Sequence, residues 1–128
     1  MTLQDTLRNH AFTTGLADRH IVTLASLVTE IQFVEDEVIL TGDEQSRYLY
    51  LVTAGSVSIE LRTPIFNVSV LAVGPGGAFG WSALLRHQDT LFQVRARERT
   101  AALRFAGADL AEACRKEGDL GVEILLRT

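Results

Sequence analysis

The sequence predicts a mainly β protein with flanking helices, in which antiparallel strands form a jelly roll or β-roll. Residues 30–105 contain about seven short segments rich in β-branched and aromatic residues, separated by clusters of turn-forming residues. The connections between these segments are too short for crossover helices, so the strands are expected to pair antiparallel. The residues on either side of the β region have the 3.6-residue apolar spacing of helices.

The N-terminal residues 1–29 are predicted to form a short helix followed by a longer one. Gly15 separates the two, and Asp18 is placed to cap the second helix or to favour its start through the helix dipole. The apolar residues expected on one face of this helix are Leu16, Ile21, Leu24, Ala25 and Val28.

The β region is predicted strand by strand from its composition. Its segments are IQFV, VILTG, YLYLVTAG, SVSIEL, NVSVLAV, LFQVRA and TAALRF. In SVSIEL, apolar and polar residues alternate, which predicts that Ser58 and Glu60 face water. Asp36 is expected to adopt left-handed backbone geometry in a hairpin turn. Tyr48 and Tyr50 are expected to be strand residues, one facing in and one out.

Two further helices are predicted over residues 107–128, with Gly118 ending the first and Asp119 as the N-cap of the second. Cys114 lies at helical spacing from Leu110 and is expected to be a small buried residue.

Composition restricts the class of protein. The chain of 128 residues fits one domain, and its net charge of -4 without a basic run argues against nonspecific nucleic-acid binding. A single cysteine excludes an internal disulfide framework, and His10, His20 and His87 are scattered, so no metal site is predicted. No apolar run approaches the ~20 residues of a membrane span, and no signal-peptide core is present, so a cytoplasmic location is expected.

The stretch VILTGDEQSRYLYLVTAGSVSIEL, followed later by VGPGGAFGWSALL, resembles the cyclic-nucleotide-binding domain family, the sensor module of Crp/Fnr-type regulators. The resemblance implies one domain over residues 1–128. It would consist of N-terminal helices (1–29), a β-roll (30–105) with a phosphate-binding cassette (74–96), and C-terminal helices (107–128). In such a cassette, backbone N–H groups at the N-terminus of a short helix point at the cyclic phosphate.

The resemblance also identifies candidate ligand-binding residues. They are Gly77, Phe79, Gly80, Trp81, Ser82, Ala83, Arg86, Thr90, Leu91 and Phe92. Phe79 would anchor the cassette, and Gly80 would let a ligand approach the backbone. The family places a ribose-binding Glu where this chain has Trp81 and a phosphate-binding Arg where it has Thr90. The alternation of the next strand turns Phe92, Val94 and Ala96 inward and Gln93, Arg95 and Arg97 toward solvent.

These departures predict poor cyclic-nucleotide binding and leave several alternatives open. Trp81 either lines a remodelled pocket or fills it, and Arg86 either replaces the missing cation or is a solvated loop residue. The favoured function is a regulatory domain that binds a small effector or a protein partner. The alternatives are a genuine cyclic-nucleotide sensor and a ligand-free interaction module. No catalytic motif, cofactor or metal is predicted.

The same resemblance carries expectations about partners. Family dimers form largely through the helix that follows the roll, which implies a weak homodimer through residues 119–128, with Leu120, Ile124 and Leu125 facing the partner. Because no residues remain here for a helix-turn-helix domain, DNA binding is not expected from this chain, and because no apolar run is long enough for a membrane span, membrane binding is not expected either.

Overall fold

The computed structural model describes residues 2–41, 46–80 and 92–127, apart from the Arg62 side chain. Its elements follow the predicted order of helices, strands and helices. In chain order they are α1 (Leu3–Asn9), α2 (Asp18–Leu27), β1 (Val28–Phe33), β2 (Val38–Leu40), β3 (Tyr48–Ala54), β4 (Val57–Arg62), β5 (Asn67–Val73), β6 (Ala78–Phe79), β7 (Phe92–Ala96), β8 (Thr100–Ala106), α3 (Gly107–Lys116) and α4 (Gly118–Leu126). The two-residue strand β6 was not predicted.

The strands form two four-stranded sheets in which every pairing is antiparallel. The first sheet has the order β1-β8-β3-β6, and the second has the order β2-β7-β4-β5. Among the described strands, consecutive strands lie in different sheets except β4 and β5, which are paired, so the chain passes repeatedly from one sheet to the other and forms a roll. The fold class predicted from the sequence is therefore confirmed.

The first sheet is buried on both faces, so it divides the interior into two cores. One face packs against the helices through residues such as Leu49, Leu51 and Phe105. The other face, called here the inner face, packs against the second sheet through residues such as Val52 and Ala102. Two-sided burial explains why β3 carries an unbroken apolar run, YLYLV, where a half-exposed strand would alternate.

The N-terminal helices follow the prediction with one shift. Thr2 and Asp5 form a capping box at α1, and Gly15 turns the chain at φ 87° between the helices. Asp18 is the first residue of α2, where its charge favours the helix dipole, and Ala17 occupies the N-cap. Val28 begins β1 instead of ending the helix, although it is buried as expected.

The C-terminal helices correct two expectations. Glu117, not Asp119, is the N-cap of α4. Leu120 and Ile124 are 0% and 3% exposed, because α4 folds back onto α3 and packs both side chains into the helix-side core. They therefore cannot face a partner, whereas Leu125 stays exposed. Within the described residues, no helix is long and apolar enough to cross a membrane.

The outer face of the second sheet is less wet than predicted. Ser58 is buried and its hydroxyl lies 2.7 Å from that of Ser69. Gln93 is also buried, because its amide donates to Glu60 Oε1 at 2.8 Å, and the Glu60 side chain is only 14% exposed. The prediction that Ser58, Glu60 and Gln93 face water was wrong, since cross-strand polar partners cover one another on this face. Asp36 has the predicted left-handed geometry, with φ 69°.

Candidate functional site

The chain enters the candidate cassette through a tight turn. Gly77 N donates to Gly74 O at 3.0 Å, and Gly76, which follows Pro75, has φ 91°, as the third position of such a turn requires. Val52 of β3 holds the turn from the side: its N–H donates to Gly77 O at 2.9 Å, and its carbonyl accepts from Gly76 N at 3.0 Å. The turn inferred from the sequence is present and is tied to the centre of the first sheet.

Phe79 anchors the segment in the inner-face core. It is 2% exposed and lies opposite Tyr50 in the short β3–β6 ladder. The two rings stack with centroids 4.7 Å apart and an interplanar angle of 9°. Tyr50 also meets Phe33 edge to face at 5.9 Å, which extends the aromatic cluster across the sheet. The aromatic stack compensates for a strand of only two residues and fixes where the segment leaves the sheet.

Gly80 is required by its backbone conformation. Its φ is 88°, and a Cβ built on it would lie 2.4 Å from the carbonyl oxygen of Tyr48. A side chain here would therefore be strained and would clash with backbone that cannot move freely. The close approach brings the end of the described cassette segment beside the start of β3 and beside Ser46, whose hydroxyl donates to the same Tyr48 carbonyl at 2.6 Å.

The same end of the inner face carries an arginine that sequence reasoning missed. Arg104 of β8 lies opposite Tyr50, and its guanidinium carbon is 4.3 Å from the centroid of the Tyr48 ring. Tyr48 and Tyr50 are two residues apart and lie on one face, so the expectation of one in and one out was wrong. Burial raises the pKa of Tyr50, and the charge of Arg104 opposes this effect. The alternation of Ala102, Arg104 and Ala106 against Leu103 and Phe105 was the signal available in the sequence.

A cavity of about 220 Å³ lies beside the tyrosines, where β2 ends and β3 begins. Its walls combine aliphatic, aromatic, hydroxyl and guanidinium groups, which suits a small organic molecule with a polar group. The lining residues are Ile39, Leu40, Thr41, Ser46, Arg47, Tyr48 and Tyr50.

The predicted site residues fall into two sets. Gly77, Phe79 and Gly80 lie together along β6 and its turn, next to β3. Phe92 begins β7 and is 40% exposed, although Val94 and Ala96 after it are buried as predicted. The remaining candidates lie outside the described residues: Trp81, Ser82, Ala83, Arg86, Thr90 and Leu91.

Arg95 is held away from the interior of the roll and cannot serve as a phosphate partner there. Its Nε lies 3.4 Å from Glu60 Oε1, and its Nη1 donates to the Asp36 carbonyl at 3.1 Å. Both partners hold it on the outer face of the second sheet. A one-residue slip that would bring it into the roll is incompatible with the β4–β7 register, which pairs Arg95 with Ser58.

The described histidines have structural partners. His10 Nε2 lies 2.8 Å from the Val52 carbonyl and its Nδ1 accepts from Phe12 N at 3.1 Å, which fixes the proton on Nε2. His20 Nε2 lies 3.3 Å from Asp119 Oδ2, between α2 and α4. Among residues 2–41, 46–80 and 92–127, no three His, Cys, Asp or Glu side chains are grouped as metal ligands. Cys114 is half-buried against the helix-side core, and burial raises the pKa of its thiol.

Comparison with solved structures identifies proteins of similar fold. A Geobacter metallireducens GS-15 protein described as cyclic nucleotide-binding is 24% identical with a TM-score of 0.87, covering 99% of this chain and 92% of its own. The N-terminal domain of a Streptomyces coelicolor A3(2) transcriptional regulator is 20% identical with a TM-score of 0.79, covering 96% and 87%.

A third similar structure is the regulatory subunit of a cAMP-independent protein kinase A from Trypanosoma cruzi, bound to guanosine. It is 22% identical with a TM-score of 0.81, and the match covers 96% of this chain but 42% of that one. No curated protein sequence matches the chain.

The family comparison agrees with the fold. The model of the cyclic nucleotide-binding domain matches residues 30–117, which span the last four residues of β1, the strands from β2 to β8, and the whole of α3. This match covers more than half of the chain. The chain therefore belongs to the cyclic nucleotide-binding domain family, a family of regulatory ligand-binding domains.

Proposed function

We propose that this chain is a regulatory, non-enzymatic domain that binds a small effector in its β-roll and binds cyclic AMP poorly. One observation carries the proposal: residues 76–80 at the start of the cassette have the backbone turn, the aromatic anchor and the close backbone approach expected of the family, but the two charged residues of the family pattern are replaced. The turn at Gly76, the anchor Phe79 and the close approach at Gly80 are all in place. The aligned positions for the ribose-binding Glu and the phosphate-binding Arg hold Trp81 and Thr90.

The expected loss of affinity follows from the missing cation. Removing one partner of a desolvated charge pair costs about 2–5 kcal/mol, and about 1.4 kcal/mol corresponds to a factor of ten in the dissociation constant. Cyclic AMP is therefore expected to bind at least tenfold more weakly than to a complete cassette. The guanosine-bound Trypanosoma structure supports an effector other than a cyclic nucleotide. Guanosine has no cyclic phosphate, and yet it binds to a protein of this fold.

Titration calorimetry with cyclic AMP and cyclic GMP tests the proposal on the wild-type chain. A dissociation constant weaker than about 10 μM, which corresponds to roughly -7 kcal/mol, is expected for both. The double variant Trp81→Glu/Thr90→Arg restores the family pattern and should bind cyclic AMP at least tenfold more tightly than the wild type. Tight binding of cyclic AMP to the wild type would contradict the proposal that the replaced Glu and Arg positions weaken cyclic AMP binding. Arg86→Ala would then show whether Arg86 supplies the cation.

A thermal-shift screen with nucleosides, nucleotides and small metabolites tests the effector-binding part. An effector present at about 100 times its dissociation constant should stabilise the fold by about 2.7 kcal/mol, which raises the melting temperature by several degrees. If no compound shifts the melting temperature, the alternative of a ligand-free interaction module is favoured instead.

The exposed face of α4 supports self-association as a second candidate function. Val122, Leu125 and Leu126 are 55%, 65% and 75% exposed, whereas Leu120 and Ile124 of the same helix are buried. An apolar stripe of this size suits a weak homodimer through residues 119–128 or a protein partner. Sedimentation velocity should show concentration-dependent dimerisation that Leu126→Lys abolishes. A tight dimer that is insensitive to this substitution would contradict a helix-mediated interface.

A further inference from the structure

The position of Arg104 singles it out among the described arginines. It lies on the inner face of the first sheet, the face that forms the interior of the roll. Its directly paired neighbours across β1 and β3 are Thr29 and Tyr50, both uncharged. Since the paired neighbours of Arg104 are uncharged and the core on this face is apolar and aromatic, a guanidinium there is an exception that needs an explanation.

No carboxylate among the described residues forms an ion pair with Arg104. Arg95 illustrates the usual arrangement, because it is partly buried and is paired with Glu60. Arg104 is also partly buried, but its contacts are with uncharged side chains: its guanidinium lies over the ring of Tyr48 and hydrogen-bonds the hydroxyl of Tyr50. The cation–π contact uses the face of the guanidinium and the Tyr50 hydroxyl accepts from one donor, so the other N–H groups stay available to an oxyanion in the plane of the group.

The orientation of the side chain points it toward the cassette side of the sheet. Arg104 belongs to β8, and Tyr48 belongs to the neighbouring β3, so a guanidinium over the Tyr48 ring leans from β8 across β3. The next strand in this direction is β6, which ends at Phe79 and leads to Gly80. The backbone of Gly80 is in close contact with Tyr48. Tyr48 and Tyr50, the two tyrosines that Arg104 contacts, also border the 220 Å³ cavity; the cation in the wall of this cavity is Arg47, and Arg104 lies behind the tyrosines and not in the wall.

From this geometry we infer that Arg104, positioned by Tyr48, is the cation that binds an oxyanion of the effector, either a phosphate ester or a carboxylate. This inference rests on the proposed function and adds the charge of the effector and the residue that recognises it. A guanidinium presents parallel N–H donors that match both phosphate and carboxylate. The cation therefore comes from β8, in the interior of the roll, and not from the cassette position that Thr90 occupies.

The test compares ligand pairs that differ in one negative charge. Cyclic AMP against adenosine probes a phosphate, and benzoate against benzyl alcohol probes a carboxylate. The wild-type chain should bind the anionic member of at least one pair about tenfold more tightly than the neutral one, because a charge-assisted hydrogen bond contributes about 1.5–3 kcal/mol. Which pair shows the preference identifies the oxyanion. During the same titration, the Arg104 Nε–H resonance in a nitrogen–proton NMR spectrum should shift.

Arg104→Gln should abolish the preference for the anionic member, and Arg104→Lys should keep part of it. Arg97→Gln is the matched control: it makes the same charge change at an exposed position and should leave the preference unchanged. Circular dichroism verifies that each variant is folded, and the NMR shift on the wild type gives a result even if Arg104→Gln does not fold.

The outcomes separate this inference from the proposed function. If anionic and neutral ligands bind equally and the Arg104 resonance does not move, the role of Arg104 is overturned while an effector site remains. If none of the four probes binds and the wider thermal-shift screen is also negative, both the inference and the effector-binding function are overturned.

Discussion

Replacing Gly80 with alanine should destabilise the protein by about 1–4.5 kcal/mol. Left-handed backbone geometry costs a non-glycine residue roughly 1–2 kcal/mol, and forcing a Cβ against packed backbone costs about 1–3 kcal/mol more. Gly80 meets both conditions, with φ 88° and 2.4 Å between the built Cβ and the Tyr48 oxygen. Alanine also lowers the conformational entropy of the unfolded chain, which offsets about 0.4–1 kcal/mol of this loss of stability. Because domains are stable by about 5–15 kcal/mol, the loss is large enough to measure.

Urea denaturation followed by circular dichroism measures this loss, and Gly74→Ala is the matched control. Gly74 lies six residues earlier in the same segment, its φ is not left-handed, and a Cβ there would meet nothing within 4 Å. Gly74→Ala should leave the free energy of unfolding unchanged or raise it by up to about 1 kcal/mol. If Gly80→Ala is as stable as Gly74→Ala, the close approach of Gly80 to β3 is refuted.

Three further predictions follow from the packing and the charges. Phe79→Ala should cost about 3–5 kcal/mol in urea denaturation, because it removes a fully buried stacked ring; a loss below about 1 kcal/mol would contradict its anchoring role. Gln93→Ala should lower the free energy of unfolding by about 1–3 kcal/mol, because it removes one hydrogen-bond donor from the mostly buried Glu60 carboxylate. A change within about 0.5 kcal/mol would instead indicate a glutamine that faces solvent. Burial tends to raise the pKa of Asp119, but Arg19 and His20 outweigh it and lower the pKa below its ordinary value of 3.8. The ionised carboxylate therefore stabilises the fold above that value, and this stabilisation is lost as pH falls through the folded-state pKa, so the stability advantage of the wild type over Asp119→Asn should vanish in acid unfolding.

The local sequence pattern was enough to predict the turn at Pro75-Gly76 and the aromatic anchor Phe79. It was not enough to predict the rest of the described site. Pro75-Gly76 and Phe79-Gly80 have properties that belong to the residues themselves, namely a restricted φ, a tolerated positive φ and a large apolar ring. Arg104 could not be assigned in this way. Its strand is buried on both faces, so alternation separates two sets of residues without showing which set faces the helices and which faces the roll.

The sequence alone determined the order of elements and the fold class, because strand and helix periods and turn residues act over a few positions. Tertiary structure alone decided which faces are covered. Gln93 and Glu60 are hydrophilic in the sequence and become buried because β4 and β7 bring them together across a ladder. Tyr48, likewise, orients Arg104 only because β8 and β3 are neighbours in space although they are distant in the chain. Such contacts depend on pairings between residues more than 30 positions apart, which no local pattern specifies.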